Sequence, residues 1–174
     1  MTVPLQPVDS RFGIERATRE DQALLFRMLQ FYYFEATQWS GEDLLADGLY
    51  ESDQAGVASY CEPDGVDAAW LLKVDGQAAG FVLVESIPFE GGHIRELADL
   101  FVMPKYRGLG LAEAATRMIV PGHAGPWLIA VFRKDERALR YWQGAFTRLP
   151  FRSVHPGPHH ELFHQFIING DVPD

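Results

Sequence analysis

One cysteine, Cys61, is all that the 174-residue chain carries. No intramolecular disulfide can form, and such usage suits a reducing compartment. No motif around Cys61 marks it as a nucleophile, so a small packed side chain is expected there. Positive charge is scarce too: 15 Lys and Arg stand against 24 Asp and Glu, a net of −9. That balance speaks against nucleic acid or an anionic membrane surface as a partner. Excess carboxylates serve solubility or draw a cationic substrate to a cleft, and net charge alone locates no cleft. No apolar run reaches the length of a membrane span, and the opening MTVPLQPVDS lacks the basic-then-apolar order of a secretion signal. A cytoplasmic location is expected. Repeats, low-complexity tracts and internal linkers are missing as well.

What is present is material for one core: 47% of residues are hydrophobic and 13% aromatic. A single domain over residues 1–174 is expected, with 1–12 a loose lead-in. FGIERA can form a short strand, and Thr18 followed by Asp21 reads as a capping box. Leu24, Leu25, Met28, Leu29 and Tyr32 then recur at helical spacing, and the aromatic run FYYFEATQW continues that helix. Ser40 offers a second cap and a short helix after it. AWLLKV and AAGFVLVES read as strands joined by an Asp-Gly hairpin turn, and IPFEGG as a loop. HIRELADLFVM reads as a long fourth strand, GLAEAATRMIV as a helix stopped by Pro121, and PWLIAVF as a buried strand. DERALRYWQGAF reads as another helix and ELFHQFII as a closing strand. This order predicts a mixed α/β (α+β) fold, a twisted sheet flanked by helices.

The stretch MPKYRGLGLAEAATRM, Met103 to Met118, places Gly108 and Gly110 between a strand and a helix. Glycines at a helix start let backbone N–H groups approach an anion closely, at the positive end of the helix dipole. The other reading is a turn that only needs unusual backbone angles. No Gly-Lys-Ser/Thr follows, so this is not a P-loop, and the three-glycine dinucleotide spacing is missing.

RGLGLA, Arg107 to Ala112, matches the R/Q-x-x-G-x-G/A signature of the GNAT N-acetyltransferase superfamily, after a Val-x-Pro strand end at Val102 to Pro104. The resemblance extends over about residues 13–168, through ATRED, VDGQAAGFVLVE and DERALRYW. It looks especially like a bacterial subgroup known only as predicted acetyltransferases. It implies a GNAT-like fold and acetyl-CoA as co-substrate, with no metal. Pyrophosphate would sit on the N–H groups of Arg107, Gly108, Leu109, Gly110, Leu111 and Ala112. Pantetheine would pair with Leu100, Phe101 and Val102, one of whose N–H groups polarises the thioester carbonyl. Arg107 either contacts phosphate or fixes the turn. Asp135 and Ala138 fall where the family places a CoA-contacting Asn and Ala, and the Asp brings a negative charge to that place.

The implied reaction moves acetyl to a primary amine by direct attack in a ternary complex. An alkyl ammonium has a pKa near ~10, so a base must first remove a proton. Glu96, on the fourth strand, lies where some relatives carry that base, and Asp99 is the second candidate. Strict alternation puts Glu96 on the face of Ala98, Leu100 and Val102, with Asp99 opposite, unless a bulge resets the register. The family's thiolate-protonating Tyr aligns with Trp142, which has an indole N–H but no usable acid. Tyr141, next to it, is expected to pack in the core. The acceptor would be a small-molecule or peptide amine, and the resemblance permits a homodimer. The Trp142 departure supports a second reading, an acyl-CoA-binding regulatory module of the same fold with weak catalysis.

HELFH, His160 to His164, matches the zinc-protease pattern H-E-x-x-H. That chemistry needs a helix and a third ligand. With HPGP before it and QFII after it, an extended strand is expected, which leaves a zinc hydrolase as a distant third reading. His93 is expected near the start of the fourth strand.

Overall fold

The computed structural model describes residues 9–50, 53–120 and 125–170. Seven strands form one mixed sheet: β1 (Phe12–Arg16), β2 (Ala68–Val74), β3 (Gln77–Phe89), β4 (Gly92–Val102), β5 (Trp127–Phe132), β6 (Val154–Pro156) and β7 (Phe163–Ile168). Their spatial order is β1-β2-β3-β4-β5-β7-β6. All neighbours are antiparallel except β4 and β5. Among the described residues four helices flank the sheet: α1 (Gln22–Ser40), α2 (Gln54–Ser59), α3 (Leu111–Ile119) and α4 (Glu136–Arg148). No helix among the described residues is long and apolar enough to cross a membrane.

Helix α1 follows one 3₁₀ turn, where the Asp21 carboxylate accepts from both the amide and the hydroxyl of Thr18 at 2.9 Å. Its apolar stripe, Leu25, Met28 and Leu29, packs with Val57 of α2 and Cys61 against Leu71, Phe81, Leu83 and Phe101. The opposite sheet face meets α3 and α4, where Leu111, Ala115, Trp142 and Ala145 cover Val82, Val84, Leu97, Val102 and Ile129. Each large aliphatic or aromatic side chain so buried contributes ~1.5–3 kcal/mol of transfer free energy. The sheet is thereby fixed between two apolar layers, and its central strands become a rigid platform.

Three details differ from the sequence expectation. Ser40 ends α1 rather than capping a new helix: Gly41 takes φ 75° and its amide bonds the Thr37 carbonyl at 3.2 Å, a left-handed C-cap. The short helix comes later, at Gln54–Ser59, with the Asp53 side chain accepting from Ala55 N at 2.9 Å. Ile87-Pro88-Phe89 is strand, not loop, paired with Gly92–Ile94. Pro88 is tolerated because β2 pairing stops at Val84, so its missing N–H faces no neighbour strand. The three-residue β6 carries no readable signal of its own. Pro121, the expected helix stop, lies outside the described residues.

Candidate active site

Strands β4 and β5 pair in parallel only from Arg95↔Trp127 to Leu97↔Ile129, and then part. The parting coincides with a bulge in β4. Leu97 faces Val84 and Asp99 faces Leu83, which leaves Ala98 as the extra residue. A bulge bends and twists its strand, and this one falls at the first residue beyond the last β5 pair. Residues 98–102 therefore show their β5-facing backbone to an open slot. A cavity of about 490 Å³ fills it, with Leu100, Phe101 and Val102 on one wall and Ala130 to Phe132 on the other.

The glycine turn closes one end of this cavity. Gly108 has φ 78° and Gly110 φ 89°, left-handed angles that a side chain resists. A Cβ at either glycine would meet no heavy atom within 4 Å. The turn therefore uses glycine for its backbone angles and leaves open space above it. Gly110 is the N-cap of α3 and accepts from Ala114 N at 3.0 Å. The amides of the first helical turn, which begins Leu111-Ala112, have no intrahelical acceptor and carry the positive end of the helix dipole. Leu111 and Ala112 line the cavity, whereas Leu109 does not and is 42% exposed.

Arg107 is tied down on three sides. Its Nε donates to the Val102 carbonyl at 2.7 Å, and its Nη1 and Nη2 donate to the two Glu35 oxygens at 3.0 and 2.5 Å. Arg137, from α4, adds a bond to Glu35 Oε1 at 2.8 Å. Burial pushes the Glu35 carboxyl up, but Arg107 and Arg137 outweigh it and hold it below its ordinary value. Glu35 thus joins α1, the turn and α4 around the cavity mouth. On the far wall Asp135 caps α4, accepting from Ala138 N at 2.9 Å, and both residues line the cavity. Trp142 lines it too, 6% exposed and stacked on Phe146 with ring centroids 5.9 Å apart. Tyr141 packs against the core as expected and also reaches the cavity; burial pushes its hydroxyl up to about 12.

Through the parted strands lies a second pocket, of about 420 Å³, which shares Tyr32, Ala98, Asp99, Ala130 and Phe132 with the first. Glu96 lines this second pocket. Because of the bulge, Glu96 (opposite Glu85) and Asp99 (opposite Leu83) occupy the same face, and the alternation that opposed them is corrected. Burial raises Glu96 to about 7, with the charges of Glu85 and Asp99 adding to it. Burial also raises Asp99, to about 6, against a hydrogen bond donated by Tyr32 that lowers it. Glu85 accepts a short bond from the Tyr60 hydroxyl. Burial, followed by Glu85, raises the Tyr60 hydroxyl above its ordinary range.

The structure thus brings Leu100, Phe101, Val102, Arg107, Gly108, Gly110, Leu111, Ala112, Asp135, Ala138 and Trp142 around one cavity and Glu96 around its neighbour. Tyr32, Glu35 and Glu85 are site residues that no sequence motif marks. For Glu35 a signal exists: it is the lone carboxylate inside the aromatic run FYYFEATQW. His93 pairs with Pro88 at the far end of the β3–β4 hairpin and lines neither cavity. His164 lies on β7 and His160 in the preceding loop, so HELFH has no helical face to offer a metal. No group of three or more His, Cys, Asp or Glu suited to a metal occurs among the described residues.

The fold also occurs in known proteins. An acetyltransferase from Thermus thermophilus superposes with TM-score 0.60 at 18% identity, over 90% of this chain and 95% of that one. PaiA N-acetyltransferase from Thermoplasma acidophilum, in complex with coenzyme A, gives TM-score 0.63 at 10% identity over 90% and 97%. Diaminobutyrate acetyltransferase EctA from Paenibacillus lautus, in complex with L-2,4-diaminobutyric acid and coenzyme A, gives 0.60 at 12% over 90% and 93%. No curated protein sequence matches the chain. The family model described as acetyltransferase (GNAT) family matches residues 25–144, a span running from α1 through the glycine turn to α4. With that match over most of its length, and with this sheet, the chain belongs to the GNAT acetyltransferase family.

Proposed function

We propose that the protein is an acetyl-CoA-dependent N-acetyltransferase that acetylates a primary amine by direct attack in a ternary complex. One observation carries the reading: the parted β4–β5 edge joins a glycine-turn cavity to a pocket holding Glu96. The PaiA and EctA structures hold coenzyme A, which supports the larger cavity as the cofactor slot. The open space over Gly108 and Gly110 and the first-turn amides of α3 suit pyrophosphate. The β5-facing edge of Leu100 to Val102 offers pantetheine a strand to pair with, and a backbone N–H for the thioester oxygen. Arg107, its donors committed to Val102 and Glu35, fixes the turn. Asp135 serves as the cap that aims α4 at the slot.

Glu96 is the base. With its carboxyl at about 7 it is ionised in a large fraction at neutral pH and still basic enough to accept a proton. It takes one proton from the acceptor ammonium, directly or through water. The freed nitrogen forms a bond to the thioester carbon, the carbon–sulfur bond breaks, and the nitrogen, positively charged after attack, loses its second proton to solvent. A thiol has a pKa near ~8.5, so the departing thiolate needs no strong acid. Its proton comes from solvent or from Glu96, and the buried Trp142 has no acid role to fill.

Trp142 at the usual Tyr position also supports the second reading, a fold that holds acyl-CoA without fast catalysis. A thermal-shift titration with acetyl-CoA, followed by thiol release across an amine panel, separates the two. Stabilisation and turnover that is lost in Glu96→Gln support the enzyme. Stabilisation without turnover supports the binding module, and no stabilisation counts against both.

A further inference from the structure

The pocket beside the cofactor slot has a charge pattern that narrows its acceptor. Four carboxylates line it, Glu42, Glu85, Glu96 and Asp99, and among the described residues no Lys or Arg does. Two half-buried carboxylates elsewhere are met by cations: Glu35 takes Arg107 and Arg137, and Glu113 takes Arg117 and Arg148. Here the partners in the structure are neutral, the hydroxyls of Tyr60 on Glu85 and of Tyr32 on Asp99. Glu85 and Glu96 stand directly opposite each other across β3 and β4, an arrangement that like charges disfavour. A cation entering the pocket relieves that repulsion. Tyr33, Phe132 and Phe163 supply an apolar and aromatic wall for a methylene chain and for cation–π contact.

Resting on the acetyl-transfer reading above, we infer that the acceptor is a diamine or polyamine without a carboxylate. One amine reacts beside Glu96, while Glu85 and Glu42 hold a second ammonium. A monoamine leaves carboxylates unanswered. An α-amino acid brings a fifth carboxylate into a pocket whose described lining offers no guanidinium or ammonium to receive it.

The test compares butylamine, 1,4-diaminobutane and ornithine, which share a carbon spacing and differ in the second amine and the carboxylate. Thiol release from acetyl-CoA should give 1,4-diaminobutane a kcat/KM about tenfold or more above the other two, the scale of one close charge pair. The double variant Glu42→Gln, Glu85→Gln should shrink the diamine-to-butylamine ratio by about fivefold or more. Its acetyl-CoA thermal shift reports that the fold and slot are intact. Equal rates, or a preference for ornithine, would overturn the acceptor class while leaving acetyl transfer standing. Should no amine turn over, the acetyl-transfer reading fails by itself. Calorimetric titration of the CoA complex with the same three compounds then still decides: diamine preference supports the pocket assignment, and its absence overturns it.

Discussion

Glu96 and Asp99 stand three positions apart on β4 yet share a face, because Ala98, between Leu97 and Asp99, is an extra residue with no opposite number on β3. The bulge gathers Glu85, Glu96 and Asp99 on one side of the sheet. It also marks where β4 leaves β5. One inserted residue thus accompanies both the shared face of the carboxylates and the parting of the two strands.

The pH dependence of turnover follows from that gathering. The proposed base, Glu96, can accept a proton only when ionised, so kcat/KM should rise through a limb near pH 7. Glu96→Gln should remove the limb and lower kcat/KM by roughly 10²–10⁴-fold. Asp99→Asn removes one of the negative charges that raise Glu96, so it should move the limb to lower pH without abolishing activity. Stopped thiol release in Asp99→Asn with a normal Glu96→Gln enzyme would reassign the base to Asp99.

Stability should carry the same signature with the opposite sign from an ordinary ion-paired carboxylate. Glu96 is raised from 4.5 to about 7 and Asp99 from 3.8 to about 6 on folding. The folded state therefore binds more protons between these values, and stability falls as pH rises through the window. The contribution of the two groups is complete below the lower values and lost above the upper ones. Glu96→Gln removes one of the charges, so it should raise Tm at pH 8 by roughly 1–4 °C and give no gain at pH 4. A gain of equal size at both pH values, measured by calorimetry, would locate the effect in packing instead.

The glycine signature and the strand–helix order around it were legible because backbone demands are written in residue type. Gly108 and Gly110 announce left-handed angles, and Thr18 with Asp21 announces a helix start. Helical spacing placed the first long helix. The bulge was not legible: Ala98 fits a strand whether or not it is paired, so alternation set Asp99 on the wrong face. The Glu35 link to Arg107 spans 72 positions of chain, and nothing local encodes such a contact. Ser40 misled because the same residue type suits a helix start and the last turn, and Gly41 decides between them.

Gly110→Ala should separate backbone strain from anion binding. At φ 89° a Cβ costs ~1–2 kcal/mol, a Tm loss of a few degrees. The same Cβ would project into the open space assigned to pyrophosphate, so the CoA dissociation constant should rise by about tenfold or more. Gly76→Ala serves as the control, with φ 75° in the β2–β3 turn and likewise nothing within 4 Å. It should cost similar stability and leave CoA affinity unchanged. Equal affinity losses in both variants would mean that strain alone explains the effect.

Arg107 offers the sharpest division between holding the turn and touching the phosphate. Its fork reaches the Val102 carbonyl and both Glu35 oxygens together, a geometry that one ammonium cannot reproduce. Arg107→Ala leaves the half-buried Glu35 with Arg137 as its remaining cation and should cost about 1–3 kcal/mol in urea unfolding. If the side chain serves to fix the turn, Arg107→Lys should lose nearly as much CoA affinity as Arg107→Ala, because charge without the fork does not restore the geometry. Glu35→Gln, which weakens the same anchor from the other end, should lower affinity in the same direction. Full rescue by Lys, together with a salt dependence equal to wild type, would instead assign Arg107 a direct charge contact with phosphate.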